Sequence, residues 1–269
     1  MSSPAVVWAH RNLISNLARR DLKAKYKKSL LGWLWSLINP AATLAVYTFV
    51  FGVILKGQAP VAGNGTLQAF PLYLFAGLVV WNLFQNSLNS AMGALEGSGG
   101  LLTKIYFPPE CPAIASVMGV LLQAAIEAGI LIVVLIGFGN VSWTMLFVPL
   151  VLFEVLLLAT GIGMVLSLLN INYRDVGYIT SIALQVVFYC TPIVYSIDLV
   201  PETVWGLPAR RLIELNPIAQ FVEALRELVW ALQLPSWQNV LYITVVSVGV
   251  FLGGWWYFST HADRVIEEL

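Results

Sequence analysis

Six stretches of the 269-residue chain stay apolar long enough to cross a bilayer as helices, which takes about 20 residues each. They run over 33–55, 70–91, 112–138, 143–169, 176–197 and 239–259. The breaks between them, KGQAPVAGNG, EGSGG, GFGN and NINYRD, are rich in Gly, Pro and Asn. This pattern predicts an all-α integral membrane protein built as one transmembrane domain over 1–269, with no internal repeat.

Ahead of the first stretch stands VVWAHRNLISNLARRDLKAKYKK. At 100° per residue, Val6, Val7, Leu13, Ile14 and Leu17 share one sector, with Arg19, Arg20 and Lys23 on the other side. That arrangement predicts an amphipathic helix over 5–28 lying in the membrane interface, its cations near anionic headgroups. Charge that merely sets topology would explain the lysines but not the ordered apolar face.

The polar gap between the fifth and sixth stretches also holds a helix pattern, LNPIAQFVEALRELVWAL. Asn216 suits its cap and Pro217 its first turn. Ile218, Phe221, Val222, Leu225, Leu228 and Val229 form an apolar stripe, and Glu223, Arg226 and Glu227 a polar face. At about 24 Å it is short for a span and too charged for lipid. With the upstream VPETVWGLPARRLIEL it reads as two short re-entrant helices or as a lid on the outer surface.

Composition strengthens the membrane reading. The chain is 59% hydrophobic and 10% charged, whereas soluble domains carry about a quarter charged residues. Its net charge is zero, so nothing points to nucleic acid. Seven of the fourteen cations fall between Arg11 and Lys28. With the N-terminus inside, ten cations lie in cytoplasmic segments and four outside, which predicts both termini in the cytoplasm. The cationic start is unlike a cleaved signal, because the apolar run after it is too long and further spans follow. Cys111 and Cys190 stand far apart and make no disulfide or metal framework.

The chain lacks GxxxxGK[ST], HExxH and GxSxG, and His10 and His261 are remote from each other. Two ionisable residues stand deep in spans, Glu127 and Glu154. A proton-coupled carrier would use such groups, but no cationic partner at depth accompanies them. Aromatics are dense in the first and fifth spans. Those at the ends serve as interfacial anchors. Mid-span rings that face a cavity would let sugar rings slide over them. The stretch LLTKIYFPPECPAI, residues 101–114, adds a short knuckle stiffened by Pro108, Pro109 and Pro112.

Four stretches in order, RDLKAKYKKSLLGWLWSLINP, LLTKIYFPPECPAI, NINYRDVGYITSIALQVVFYCTPIVY and LNPIAQFVEALREL, resemble the ABC-2-type permease subunits that export polysaccharides such as O-antigen, teichoic acid or cell-wall galactan. The resemblance covers nearly the whole chain. It implies a homodimer in a bacterial cell membrane, paired with two copies of a separate ATPase subunit that holds ATP and magnesium. This chain would then bind no cofactor and carry no catalytic residue. The implied cargo is a polysaccharide on a polyprenyl diphosphate lipid, moved from the cytoplasmic to the outer side.

By the same resemblance, 101–110 is the coupling helix that enters the ATPase, with Lys104, Ile105, Tyr106, Phe107 and Pro108 at the contact and Arg174 and Asp175 beside it. Trp35, Tyr47, Phe188, Tyr189 and Tyr195 line the channel, and Arg19, Arg20, Lys23 and Lys27 attract the diphosphate at the cytoplasmic entrance. Residues 201–232 form the outward gate, with Asn216, Pro217, Phe221, Glu223 and Arg226. The chain departs from many relatives at Cys190-Thr191, where a serine is usual, and at Lys25, where arginine is usual. Three alternatives stay open: an ABC-2 exporter of a drug or lipid, a proton-coupled carrier using Glu127 and Glu154, and a membrane glycan enzyme, for which no catalytic cluster is visible.

Overall fold

The computed structural model describes residues 4–27, 29–54, 56–102, 107–173, 175–204 and 206–266. In chain order the helices are α1 (Pro4–Ala9), α2 (Arg11–Tyr26), α3 (Trp35–Tyr47), α4 (Phe70–Met92), α5 (Ala94–Leu102), α6 (Glu110–Gly137), α7 (Val148–Asn172), α8 (Asp175–Cys190), α9 (Ala209–Glu214), α10 (Pro217–Arg226) and α11 (Trp237–Ile266). Among the described residues β-pairing is confined to one isolated bridge, Val204 with Leu207.

Four helical stretches are long and apolar enough to cross a membrane: Trp35–Ile54, Glu110–Gly137, Trp143–Asn172 and Trp237–Ala262. The second and fifth expected spans differ. Helix α4 has 23 residues, but Asn82, Gln85, Asn86 and Asn89 dilute its apolar character. Helix α8 has 16 residues and stops at Cys190 rather than near 197. Thr191 precedes Pro192, whose ring disfavours helical backbone in the residue before it.

Helix α7 is apolar on all sides, as a helix enclosed by neighbours must be. Its span is 61% buried, against 6% for α3, so α7 is the axis of the bundle and α3 lies at its edge. Two glycines let α7 approach both partners. A methyl on Gly161 would lie 2.7 Å from the Phe251 Cα of α11, and one on Gly163 would lie 2.6 Å from the Ala91 Cβ of α4. Small residues of this kind bring helix backbones together where lipid gives no hydrophobic drive between helices. On the same seam, Thr244 Oγ1 of α11 donates to Glu154 Oε1 at 2.8 Å.

The helix expected in the membrane interface is broken at His10 into α1 and α2, instead of running unbroken over 5–28. Its apolar face is nonetheless the expected one. Val7, Ile14, Leu17 and Ala18 are buried against Phe107, Cys111 and Ala115 at the start of α6. Helix α3 follows a 3-10 turn that begins at Gly32, whose positive φ of 53° a glycine adopts freely. Pro40 interrupts its hydrogen-bond ladder, and beyond Tyr47 it widens into a π turn over Thr48–Ile54.

Candidate functional site

An open cavity of about 350 Å³ lies between three helices. Helix α3 supplies Thr43 and Tyr47, α4 supplies Leu78, Trp81, Asn82 and Gln85, and α8 supplies Ser181, Leu184, Gln185, Phe188 and Tyr189. The rings form a connected set around Phe188. Tyr47 stacks on it with centroids 6.1 Å apart, while Trp81 and Tyr189 each meet it edge-on at 5.2 Å. These spacings are those at which aromatic pairs attract beyond simple burial. The remaining walls carry carboxamides and hydroxyls. Such a surface offers flat apolar faces beside neutral donors and acceptors.

Of the five aromatics expected in a channel, Tyr47, Phe188 and Tyr189 meet here. Tyr195 stands behind the wall and donates its hydroxyl to the Tyr189 carbonyl at 3.1 Å, which holds the end of α8 in place. Trp35 is not in the lining. It lies three turns before Tyr47, about 18 Å away along the helix, and is exposed. Trp81, Asn82, Gln85 and Gln185 were not foreseen. Their signal was present as polar side chains at helical spacing, Asn82–Gln85–Asn89 on α4 and Ser181–Gln185 on α8.

The expected entrance cations do gather. Asn16, Arg19, Arg20, Lys23, Ala24 and Lys27 line a shallow depression of about 510 Å³ on the outer face of α2. Among the described residues, Arg20 pairs with Asp21 at 3.0 Å, and both partners are half exposed. A further cavity of about 480 Å³ lies between α2, α5 and α6, but its lining is mostly small side chains with no aromatic ring.

In the knuckle, Lys104, Ile105 and Tyr106, like Arg174, lie outside the described residues. Phe107 and Pro108 are described and buried, and Asp175 is exposed. Phe107 is not a free surface anchor. It sits in the chain's own cluster with Ile14, Leu17 and Ala18 of α2, so it fastens the knuckle to the interfacial helix.

The 217–232 segment packs into the bundle instead of lying exposed on its surface. Ile218, Phe221, Val222, Leu225, Leu228, Val229 and Trp230 all join the main core. The α-helix ends at Arg226 and continues as a π turn over Glu227–Ala231, closed by Leu232 in the left-handed region with φ 58°. Asn216 caps α10 by accepting from the Ile218 amide at 3.0 Å, and its carboxamide also donates to Thr191 Oγ1 at 3.0 Å. Carbonyls of the π turn are met from outside it. Thr144 donates to Leu228 at 2.7 Å, and Asn140 to Val229 at 2.9 Å.

Arg226, expected on a polar face, is 2% exposed. Its guanidinium donates to the carbonyls of Pro192 at 2.6 Å, Ile193 at 2.7 Å and Tyr73 at 3.4 Å. It also lies 3.8 Å from the centre of the Tyr73 ring, in a cation–π contact. Gly77 leaves the room, since a methyl there would stand 3.1 Å from Nη2. Burial pulls the guanidinium below its ordinary pKa, while Tyr73 and Glu223 push it back. A turn away, burial and then Glu223 push the Glu227 carboxyl up to about 7. Through Asn216 and Arg226, α10 grips both ends of the short Thr191–Ile193 turn that follows α8.

The two carboxyls deep in the spans have local partners. Glu154 is held by Thr244, and Glu127 accepts from Gln123 at 3.1 Å. Neither lines the aromatic cavity.

Several helices long and apolar enough to cross a membrane, with an open cavity of rings and carboxamides between α3, α4 and α8, fit a membrane transport subunit. The chain belongs to the ABC-2 type transporter family, whose model matches residues 12–230. It is 26% identical over 265 residues to an O-antigen export system permease protein of Myxococcus xanthus, covering 98% of this chain and 97% of that one. A Klebsiella pneumoniae O-antigen export system permease protein is 28% identical over 250 residues, covering 89% and 91%. A polysialic acid transport protein of Escherichia coli is 24% identical over 244 residues, covering 89% and 90%.

Proposed function

We propose that this chain is the permease of a polysaccharide exporter, moving a glycan carried on a polyprenyl diphosphate lipid from the cytoplasmic to the outer side of a bacterial membrane. The observation that carries this is the cavity between α3, α4 and α8. Ring faces at Tyr47, Trp81, Phe188 and Tyr189 suit the C–H faces of sugars, and Asn82, Gln85 and Gln185 suit their hydroxyls. The family and the names of its full-length relatives support the same reading.

In this reading α4 and α8 complete six spans, with both termini in the cytoplasm. The exposed apolar face that Ile179, Ile182 and Val186 give α8, with Val46 and Phe49 of α3, receives a second copy of the chain. Energy comes from a separate ATPase that binds two to the dimer and holds ATP and magnesium. The coupling knuckle over 101–110 meets it, with Arg174 and Asp175 alongside. Phe107 then passes the displacement to α2, whose Arg19, Arg20, Lys23 and Lys27 receive the diphosphate. Residues 201–232 serve as the outward gate.

Tyr189 is 61% exposed and its truncation leaves the core intact. Export in Tyr189→Ala and Phe188→Leu is expected to fall at least about tenfold, worth 1.4 kcal/mol of lost interaction, with the membrane level of the protein unchanged. Surface glycan assayed beside immunoblots of the membrane checks this. Unchanged export in both variants would take the cavity off the route.

A further inference from the structure

From the chemistry of the cavity we infer that the glycan this permease carries is built of uncharged repeats, an inference that rests on the cavity being the route. None of its lining residues is Asp, Glu, Lys, Arg or His. Its polar groups are the carboxamides of Asn82, Gln85 and Gln185 and the hydroxyls of Thr43, Ser181 and two tyrosines. Carboxamides donate and accept equally well, which matches sugar hydroxyls that do the same. A carboxylate or sulfate would meet hydrogen-bond donors here but no counter-charge, in a space walled by rings.

The charges buried in the same bundle are committed elsewhere. Arg226 spends its N–H groups on the carbonyls of Pro192, Ile193 and Tyr73. Glu154 is held on the α7–α11 seam by Thr244. Glu127 borders a separate apolar cavity beside Pro40 and Leu44. Among the described residues, no cation lines this cavity to offset the desolvation of an anionic repeat. The diphosphate of the carrier lipid meets the α2 cations once per chain, whereas an acidic glycan would bring an unpaired charge with every repeat. Selection against acidic glycans then comes from what the wall lacks, as in other sites that discriminate by leaving a wrong partner unpaired.

The test uses the full chain with its ATPase in cells that assemble a lipid-linked glycan of neutral hexose repeats, beside isogenic cells whose repeat bears one carboxylate. Surface glycan per lipid-linked glycan is expected to be at least about tenfold lower for the carboxylated repeat. Gln185 is exposed on α8, so Gln185→Lys is compatible with folding and is expected to narrow that ratio by raising export of the carboxylated glycan. Equal surface glycan from the two repeats, with Tyr189→Ala lowering both, overturns the inference while leaving the cavity as the route. If Tyr189→Ala and Gln185→Lys change neither glycan, the cavity is not the route and the reading beneath the inference falls with it.

Discussion

Arg226→Ala is expected to cost this protein roughly 3–5 kcal/mol of stability, most of the margin of a domain holding about 5–15 kcal/mol. The substitution removes a buried cation, so it recovers the guanidinium's desolvation penalty. Against that stand three losses. The carbonyls of Pro192 and Ile193, bonded at 2.6 and 2.7 Å, are left without their donor at roughly 1–3 kcal/mol each. A cavity opens beside Gly77, and the contact with the Tyr73 ring disappears. The losses win because the cation was already paired and its partners were not paired twice. The melting temperature in detergent should fall by several degrees. Gly77→Ala should shift it the same way by less, because the methyl crowds the guanidinium and Ile193 without removing the donor. A melting temperature unchanged in Arg226→Ala would mean that α10 is held by its apolar stripe alone.

Phe107→Asp should detach the interfacial helix. Phe107 is buried among Val7, Ile14, Leu17, Ala18 and Cys111, so the change forfeits about 3–5 kcal/mol of packing and adds a carboxylate with no partner. Helix α2 is amphipathic and held by the cluster that Phe107 shares with Cys111 and Ala115, so loosening that cluster should free α2 while the α4–α7–α11 core persists. Tryptic cleavage after Arg19, Arg20 and Lys23 reads this directly and should accelerate at least about tenfold, as expected when local opening becomes easier by 1.4 kcal/mol. Loss of ATPase binding with α2 still protected from trypsin would instead return Phe107 to the contact with the partner.

The helices were legible because apolar length and Gly-Pro-Asn breaks are local signals. Their ends were less so. Pro192 cut α8 at Cys190, and a left-handed Leu232 closed a π turn that a helical stripe cannot reveal. Of the aromatics expected in a channel, Tyr47, Phe188 and Tyr189 converge, and Trp81 with the carboxamides beside it joins them from α4. Attention to rings on two spans missed α4, whose amides look like mere dilution of a span until α3 and α8 close over them. Arg226 was misplaced for a related reason. Helical periodicity puts an arginine on a polar face, and only the fold supplies the carbonyls that let it turn inward. Phe107 looked like an anchor for a partner because its own partner, the apolar face of α2, is about ninety residues away in sequence.

Depletion of the chain in its native cells tests whether it exports a lipid-linked glycan. Mass analysis of the lipid fraction should then show polyprenyl diphosphate glycan accumulating on the cytoplasmic side while glycan at the cell surface declines in step. Surface glycan that holds steady, with no lipid-linked glycan building up inside, would contradict the account.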